Sequence, residues 1–346
     1  MLADLALVGF GNVARRFVRL LEEQRDQLSA HDLSCRVIAI STGRHGAAFN
    51  PSGLDALAAA RLMEEGGAFD RLPSAAARGN PNELAIHTLA RSPAPLRVMI
   101  ETTTLDIRDG QPAIDHVRAA LDCGCHVVTA NKGPAAFAFH DLSNAARGRG
   151  LSFLFEGAVM DGIPIFNLVR ETLPAVDIKG FRGVVNSTTN HILTALEDGQ
   201  EFAPALAQMQ ADGIAEADPS LDVDGWDAAA KTAALANVFL DARITPHEVE
   251  RSGLDPACAE WTREAKSRGA RVRLIASARS GQRASVGLKE LPADDLLAGL
   301  RGMSNALVLE TGLLGDIAIT QMHGGLTHTA YALLSDLLAI RARSTT

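Results

Sequence analysis

Apolar residues come in two rhythms along the chain. Short, mostly apolar runs occupy residues 4–8, 36–40, 97–101, 126–129 and 152–155. Runs of this length, bounded by Gly, Pro or polar clusters, predict strands buried on both faces. Between them the spacing turns helical. Phe17, Leu20, Leu21 and Leu28 mark a helix over 15–28, residues 50–64 contain another, and 112–122 and 141–147 read as two more. Such βα alternation predicts a parallel sheet with helices on both faces. The Gly-, Ala- and Pro-rich stretch up to Pro95 reads as helical insertions. After Glu156 the order changes. A strand is predicted at 179–185, helices at 191–197, 202–211, from Trp226 onward and at 256–266, a hairpin around Ser280 and Gly281, and strands at 306–309 and 316–320. A last helix over 329–342 carries Leu333, Leu334, Leu337 and Leu338 as its core stripe.

Composition narrows the class. A length of 346 residues allows two domains with real cores, and 47% hydrophobic with 21% charged residues is ordinary for a globular protein. A net charge of −8, a pI near 5.7 and 4% aromatic residues argue against a nucleic-acid or membrane partner. The N-terminus lacks a positively charged region, so no signal peptide is expected. Cys35, Cys123, Cys125 and Cys258 are few and scattered, and the C-x-C spacing fits neither a redox nor a zinc pattern. A cytoplasmic protein with reduced thiols is expected.

The first strand runs directly into Gly9-Phe10-Gly11-Asn12-Val13-Ala14 and then a helix. In that order G-x-G-x-x-A is a dinucleotide-binding turn: Gly9 allows the bend, Gly11 lets backbone approach a pyrophosphate, and Ala14 lets helix and strand pack closely. The second strand ends without the Asp or Glu that would bond a ribose hydroxyl, and Arg44 follows it, which favours a 2′-phosphate and hence NADP, with NAD possible. Thr102, Thr103 and Thr104 close the third strand where a cofactor crevice opens, or they cap that strand. Lys132, between Asn131 and Gly133, is placed as an anion contact or is simply an exposed lysine. The expected fold class is therefore α/β. An N-terminal Rossmann-type doubly wound parallel sheet (1–150, completed by a C-terminal helix at about 325–346) is joined to an α+β domain (151–324).

One stretch in the second part is unlike the rest. Residues 215–231 hold Glu216, Asp218, Asp222, Asp224 and Asp227 with the single Lys231. Asp227 and Lys231 are four apart on an alanine-rich helix and share a face. An exposed helix pair is the plain reading. The alanines around it indicate close packing instead, which makes Lys231 a candidate proton donor with a pKa tuned by its surroundings.

With these motifs assembled, the chain resembles homoserine dehydrogenases over nearly its whole length. The resemblance rests on GFGNVA (9–14), ANKGP (130–134), EGAVMDGIPI (156–165), NSTTNHIL (186–193) and GIAEADPSLDVDGWDAAAK (213–231). It implies reversible hydride transfer between NAD(P)H and aspartate 4-semialdehyde, giving L-homoserine, and a second domain that is catalytic and dimerising. Lys231 matches the lysine that protonates the carbonyl oxygen. Asp227 and Glu216 match acids that hold the substrate's ammonium and order the lysine, and Asp222 an acid near the substrate hydroxyl. Lys132 matches a lysine touching both cofactor and substrate, and the cofactor contacts extend to Asn131, Thr102, Thr103 and Gly325. Glu156, Val159, Asp161 and Ile163 match a structural Na+ or K+ site built largely from backbone carbonyls. A homodimer through strands of the second domain is implied.

The chain also departs from the family. Where relatives carry G-x-G-A-G before the last helix, this chain reads Gln321-Met322-His323-Gly324-Gly325. His323 and His328, five apart and without companions, do not make a metal site. NSTTN replaces the commoner NGTTN. The chain stops soon after the last helix, so no C-terminal ACT-type regulatory domain and no threonine feedback through one are expected. Two alternatives stand beside the main reading: a related reductase of another amino-acid semialdehyde, and a non-catalytic dinucleotide-binding sensor.

Overall fold

The computed structural model describes residues 1–69, 80–211 and 218–344. The chain divides into two compact units. The first comprises Met1–Pro134, Ala138–Asn167 and the segment from Gly325, and the second Ala135–Phe137 and Leu168–Gly324. The first unit thus runs on to Asn167, beyond the boundary expected near 150.

Among the described residues the first unit holds a six-stranded sheet. Its strands are β1 (Leu2–Val8), β2 (Ser34–Thr42), β3 (Gly46–Phe49), β4 (Leu96–Glu101), β5 (His126–Thr129) and β6 (Phe153–Leu154), in the order β3-β2-β1-β4-β5-β6. All pairings are parallel except β2 with β3. Residues 3–8 of β1 are buried, which explains why all but one of them are apolar. Its one charge, Asp4, lies opposite Arg36 of β2 and takes two bonds from that guanidinium, at 2.7 and 2.9 Å. The hairpin strand β3 was not expected. Its Gly-Ala-Ala-Phe sequence carries no β-branched residue, so strand propensity does not mark it. The helix expected over 15–28 is two, Asn12–Glu23 and Arg25–Ala30, because Gln24 leaves the helical region at φ −105°, ψ 17°. The last helix, Leu326–Arg343, returns to this unit and buries Ala330, Leu333, Leu337 and Ile340 in the core that Phe17, Leu5 and Leu7 share.

The second unit is built on β7 (Ile178–Val184), β8 (Glu250–Arg251), β9 (Ala270–Arg279), β10 (Ser285–Pro292), β11 (Asn305–Thr311) and β12 (Gly315–Gln321), ordered β12-β11-β7-β9-β10-β8. Its pairings are antiparallel apart from β8 with β10. The helices Ser187–Glu197, Trp226–Leu240 and Cys258–Ser267 pack on β9, whose central residues are all buried. Arg273 of β9 is wholly buried and paired with the equally buried Glu197. Its guanidinium also donates to the carbonyls of Ala298 and Leu300, at 2.8 Å each, so a charge inside the core is met by partners on several sides.

Candidate active site

At the end of β1 the chain turns on Gly9, whose φ is +87°. A Cβ there would lie 2.7 Å from the backbone of Thr102 and Thr103, so both the turn and the approach of β4 require glycine. Gly11 is different. Its backbone is extended, and a Cβ on it would meet no atom within 4 Å. It begins the helix Asn12–Glu23, whose N-terminus has no side-chain cap among the described residues. Uncapped amides beneath open space suit a pyrophosphate. Phe10 and Ala14 are buried and Val13 packs on the core, so at these positions the backbone is what faces a ligand.

Thr102 and Thr103, after β4, tie their hydroxyls to neighbouring protein groups. Thr102 donates its hydroxyl to the Gly9 carbonyl at 3.0 Å. The Thr103 hydroxyl and the Thr129 hydroxyl (2.7 Å) both donate to Glu101, which is fully buried. Asn131 donates to the Thr103 carbonyl at 3.0 Å and accepts the Gly133 amide at 2.8 Å. This network fixes the loop on which Lys132 stands half-buried. Arg44 is exposed on the turn between β2 and β3. Burial pushes the Cys35 thiol up to about 12 and those of Cys125 and Cys258 to about 11, so none of the three is a ready thiolate.

In the segment matched to a monovalent-ion site, the carboxylates already have protein partners. Buried Glu156 accepts the amides of Ile165, Phe166 and Asn167 at 2.7, 2.9 and 2.6 Å, and donates its own N–H to Asp336 at 2.8 Å. Asp161, at φ +50°, accepts the Gly325 amide and the Thr329 hydroxyl at 3.2 Å each.

In the second unit a cluster forms at the end of β7 and the start of two helices. Lys231 and Asp227 share a face of Trp226–Leu240, with Lys231 Nζ 2.9 Å from Asp227 Oδ2 and both side chains about 15% exposed (14% and 16%). The same ammonium donates to the Val185 carbonyl at 2.7 Å. Around it Ala228, Ala229, Ala230, Ala233 and Ala234 are buried, so the pair is not an exposed helix bridge. Asp222 joins them through Asn186, which bonds both acids. Burial pushes the Asp222 carboxyl above its usual range and the neighbouring Asp227 pushes it further, while Asn186, Lys231 and Thr188 pull it back. Glu216 lies outside the described residues. The sequence singles out Asp222, Asp227 and Lys231, whereas Asn186 enters it only as the first residue of NSTTN. Its hydrogen bonds span 36 and 41 residues, a separation that leaves no local pattern.

The homoserine dehydrogenase family model matches residues 164–338, and that for the homoserine dehydrogenase NAD-binding domain matches 9–156. The chain is 36% identical to an NAD(+)-dependent homoserine dehydrogenase of Pseudomonas canavaninivorans, covering 99% of this chain and 97% of that one. It is 34% identical to a homoserine dehydrogenase of Methanocaldococcus jannaschii, covering 97% and 98%. Its fold matches a crystal structure of a putative homoserine dehydrogenase from Archaeoglobus fulgidus with a TM-score of 0.85 at 29% identity, over 98% and 99% of the two chains. A hyperthermophilic archaeal homoserine dehydrogenase in complex with NADPH matches with a TM-score of 0.81 at 28% identity, over 98% of each. A β1 turn of this kind and these matches define a nicotinamide-dinucleotide-dependent oxidoreductase. The chain belongs to the homoserine dehydrogenase family.

Proposed function

We propose that this chain catalyses the reversible reduction of L-aspartate 4-semialdehyde to L-homoserine. The observation that carries the reading is the half-buried Lys231 ammonium, held by Asp227 and the Val185 carbonyl within a cluster of acids. When bound, the nicotinamide supplies a hydride to the aldehyde carbon. As negative charge builds on the oxygen, the Lys231 ammonium stabilises it and delivers the proton, a contribution of about 10²–10⁴-fold for a positioned acid. Asp227 orders that lysine and, with Glu216, offers charge to the substrate's own ammonium; Asp222 serves the hydroxyl side. Lys132 contacts cofactor and substrate from the 131–133 loop. The amides after Gly11 would hold the pyrophosphate, with Phe10, Asn12, Val13, Thr102, Thr103 and Gly325 contributing around it. Glu156, Val159, Asp161 and Ile163 form the turn for a Na+ or K+ ion. We further infer a cytoplasmic homodimer with no nucleic-acid or membrane partner; among the described residues no helix is long and apolar enough to cross a membrane.

The test is to follow NADPH oxidation with aspartate 4-semialdehyde in wild type and Lys231→Ala. Turnover by the wild type with a loss of about 10²–10⁴-fold in the variant is expected. An inactive wild type sinks the reading, and an unimpaired variant removes the role of Lys231. For the cofactor, the exposed Arg44 and the absence of an acid at the end of β2 favour NADP, whereas the Pseudomonas relative is named NAD(+)-dependent. Arg44→Asp should raise the KM for NADPH and leave that for NADH nearly unchanged. A second substrate, another amino-acid semialdehyde, is favoured only by the departure at 321–325, where Gln321 is buried and accepts from Asn305 at 3.3 Å. Rates compared across semialdehydes decide it.

A further inference from the structure

One amide holds both acids of the lysine cluster. Asn186 is 4% exposed, and its Nδ2 donates to Asp222 Oδ1 at 2.7 Å and to Asp227 Oδ2 at 2.9 Å. Its Oδ1 accepts the Thr189 amide at 2.8 Å, which caps the helix Ser187–Glu197. These three bonds admit one orientation only. Flipped, the amide would set a carbonyl oxygen against two carboxylates and an NH2 group against an N–H.

Resting on the function proposed above, we propose that Asn186 is a positioning residue of this site, clamping Asp222 and Asp227 at a fixed separation and orientation for a cationic substrate group. Two carboxylates held together repel; Lys231 lies 2.9 Å from Asp227, and its charge also acts on Asp222. The amide supplies each acid with a hydrogen bond of the charge-assisted kind, which offsets part of that repulsion without adding a charge. A lysine or arginine in its place would neutralise the acids and remove the attraction for a substrate ammonium. The clamp is rigid because its other end is the helix cap. Thr188, on that helix, also draws the Asp222 carboxyl downward. The site therefore couples the start of Ser187–Glu197 to the acid face of Trp226–Leu240, and Asp227 carries the geometry on to Lys231 Nζ.

Two substitutions at Asn186 distinguish positioning from folding. Asn186→Ser retains a good helix cap while removing the two-armed donor, and Asn186→Asp retains the cap while placing a third carboxylate against the first two. In Asn186→Ser the KM for aspartate 4-semialdehyde should rise about tenfold, the scale of one lost charge-assisted hydrogen bond, with Tm shifted by no more than a few degrees. Among the described residues the charged groups acting on Asp222 are Asp227 and Lys231, both retained, so loss of the amide should move the Asp222 carboxyl further up. A 13C NMR titration of that carboxyl reads this without any turnover, and the acid limb of kcat/KM should move to higher pH with it. Asn186→Asp should show both effects more strongly and serves if the serine variant does not fold. An unchanged Asp222 titration together with an unchanged KM overturns the proposal. A wild type without turnover refutes the function proposed above, and the titration still decides whether Asn186 holds the acids.

Discussion

The ammonium of Lys231 lies 2.9 Å from Oδ2 of Asp227, one turn earlier on the same helix, and 2.7 Å from the carbonyl oxygen of Val185. Two acceptors of different kinds, one charged and one not, fix its direction. Asp227→Asn keeps the shape and removes the charge. The lysine would keep a weaker acceptor in place but lose the partner that orders it, and the substrate's ammonium would lose one of its counter-charges. We expect kcat/KM to fall about 100-fold, on the order of 3 kcal/mol, with a circular dichroism melt close to wild type. A variant with wild-type kinetics would show that the pair is structural.

Asp222 yields a prediction about stability against pH. Burial, then the charge on Asp227, raises its carboxyl above the ordinary 3.8. A raised carboxyl favours the folded state while it is protonated, and that contribution is lost as pH rises through the raised value. At neutral pH the ionised Asp222 is therefore a cost to folding kept for the site. Asp222→Asn should melt at a higher temperature than wild type at pH 7, and the gain should shrink as pH is lowered toward 3.8. Activity should fall in the same variant. Melts at several pH values check it; a Tm below wild type at pH 7 would contradict the sign.

How much of this was legible beforehand follows from distance along the chain. β1, the Gly9 turn and the helix after it are contiguous, so G-x-G-x-x-A marked them directly. Asp227 and Lys231 are four apart, and helical periodicity alone put them on one face. What brings Asp336 under the Glu156 amide comes from 180 residues away, and Asn186 reaches Asp222 and Asp227 across 36 and 41 residues. A side-chain amide that bonds two distant acids has no spacing to betray it. The threonines after β4 show the converse. Their position at a strand end was evident, but only the packed structure shows their hydroxyls turned to Gly9 and Glu101.

Glu156 tests the first unit's frame. Its carboxylate takes three consecutive amides, from Ile165 to Asn167, while its backbone is tied to Asp336. Glu156→Gln leaves one oxygen to accept and sets an NH2 group against N–H donors. Loss of charge-assisted bonds to buried amides should cost about 2–4 kcal/mol, measured by urea unfolding. Because the turn 157–163 hangs from this residue, any stabilisation of the protein by added Na+ or K+ should also weaken in the variant. A cost below about 1 kcal/mol would mean the amides find other acceptors.

Gly9 and Gly11 are two residues apart and should respond oppositely to the same change. At Gly9 an added Cβ would lie 2.7 Å from the backbone of Thr102 and Thr103, in a residue at φ +87°, so strain and clash coincide and neither can relax through a side chain. Gly9→Ala should destabilise the protein by more than about 2 kcal/mol, and weaker cofactor binding would follow from the disturbed fold. At Gly11 the backbone is extended and an added Cβ meets nothing within 4 Å. Gly11→Ala should therefore fold with stability within about 1 kcal/mol of wild type. The empty space is where the pyrophosphate is proposed to lie, so the methyl group should raise the cofactor KM by about tenfold or more, on the order of 1.4 kcal/mol. Melting temperature and cofactor KM for the two variants separate a glycine needed by the fold from one needed by the ligand. If Gly11→Ala binds cofactor as wild type does, the pyrophosphate does not approach the backbone there.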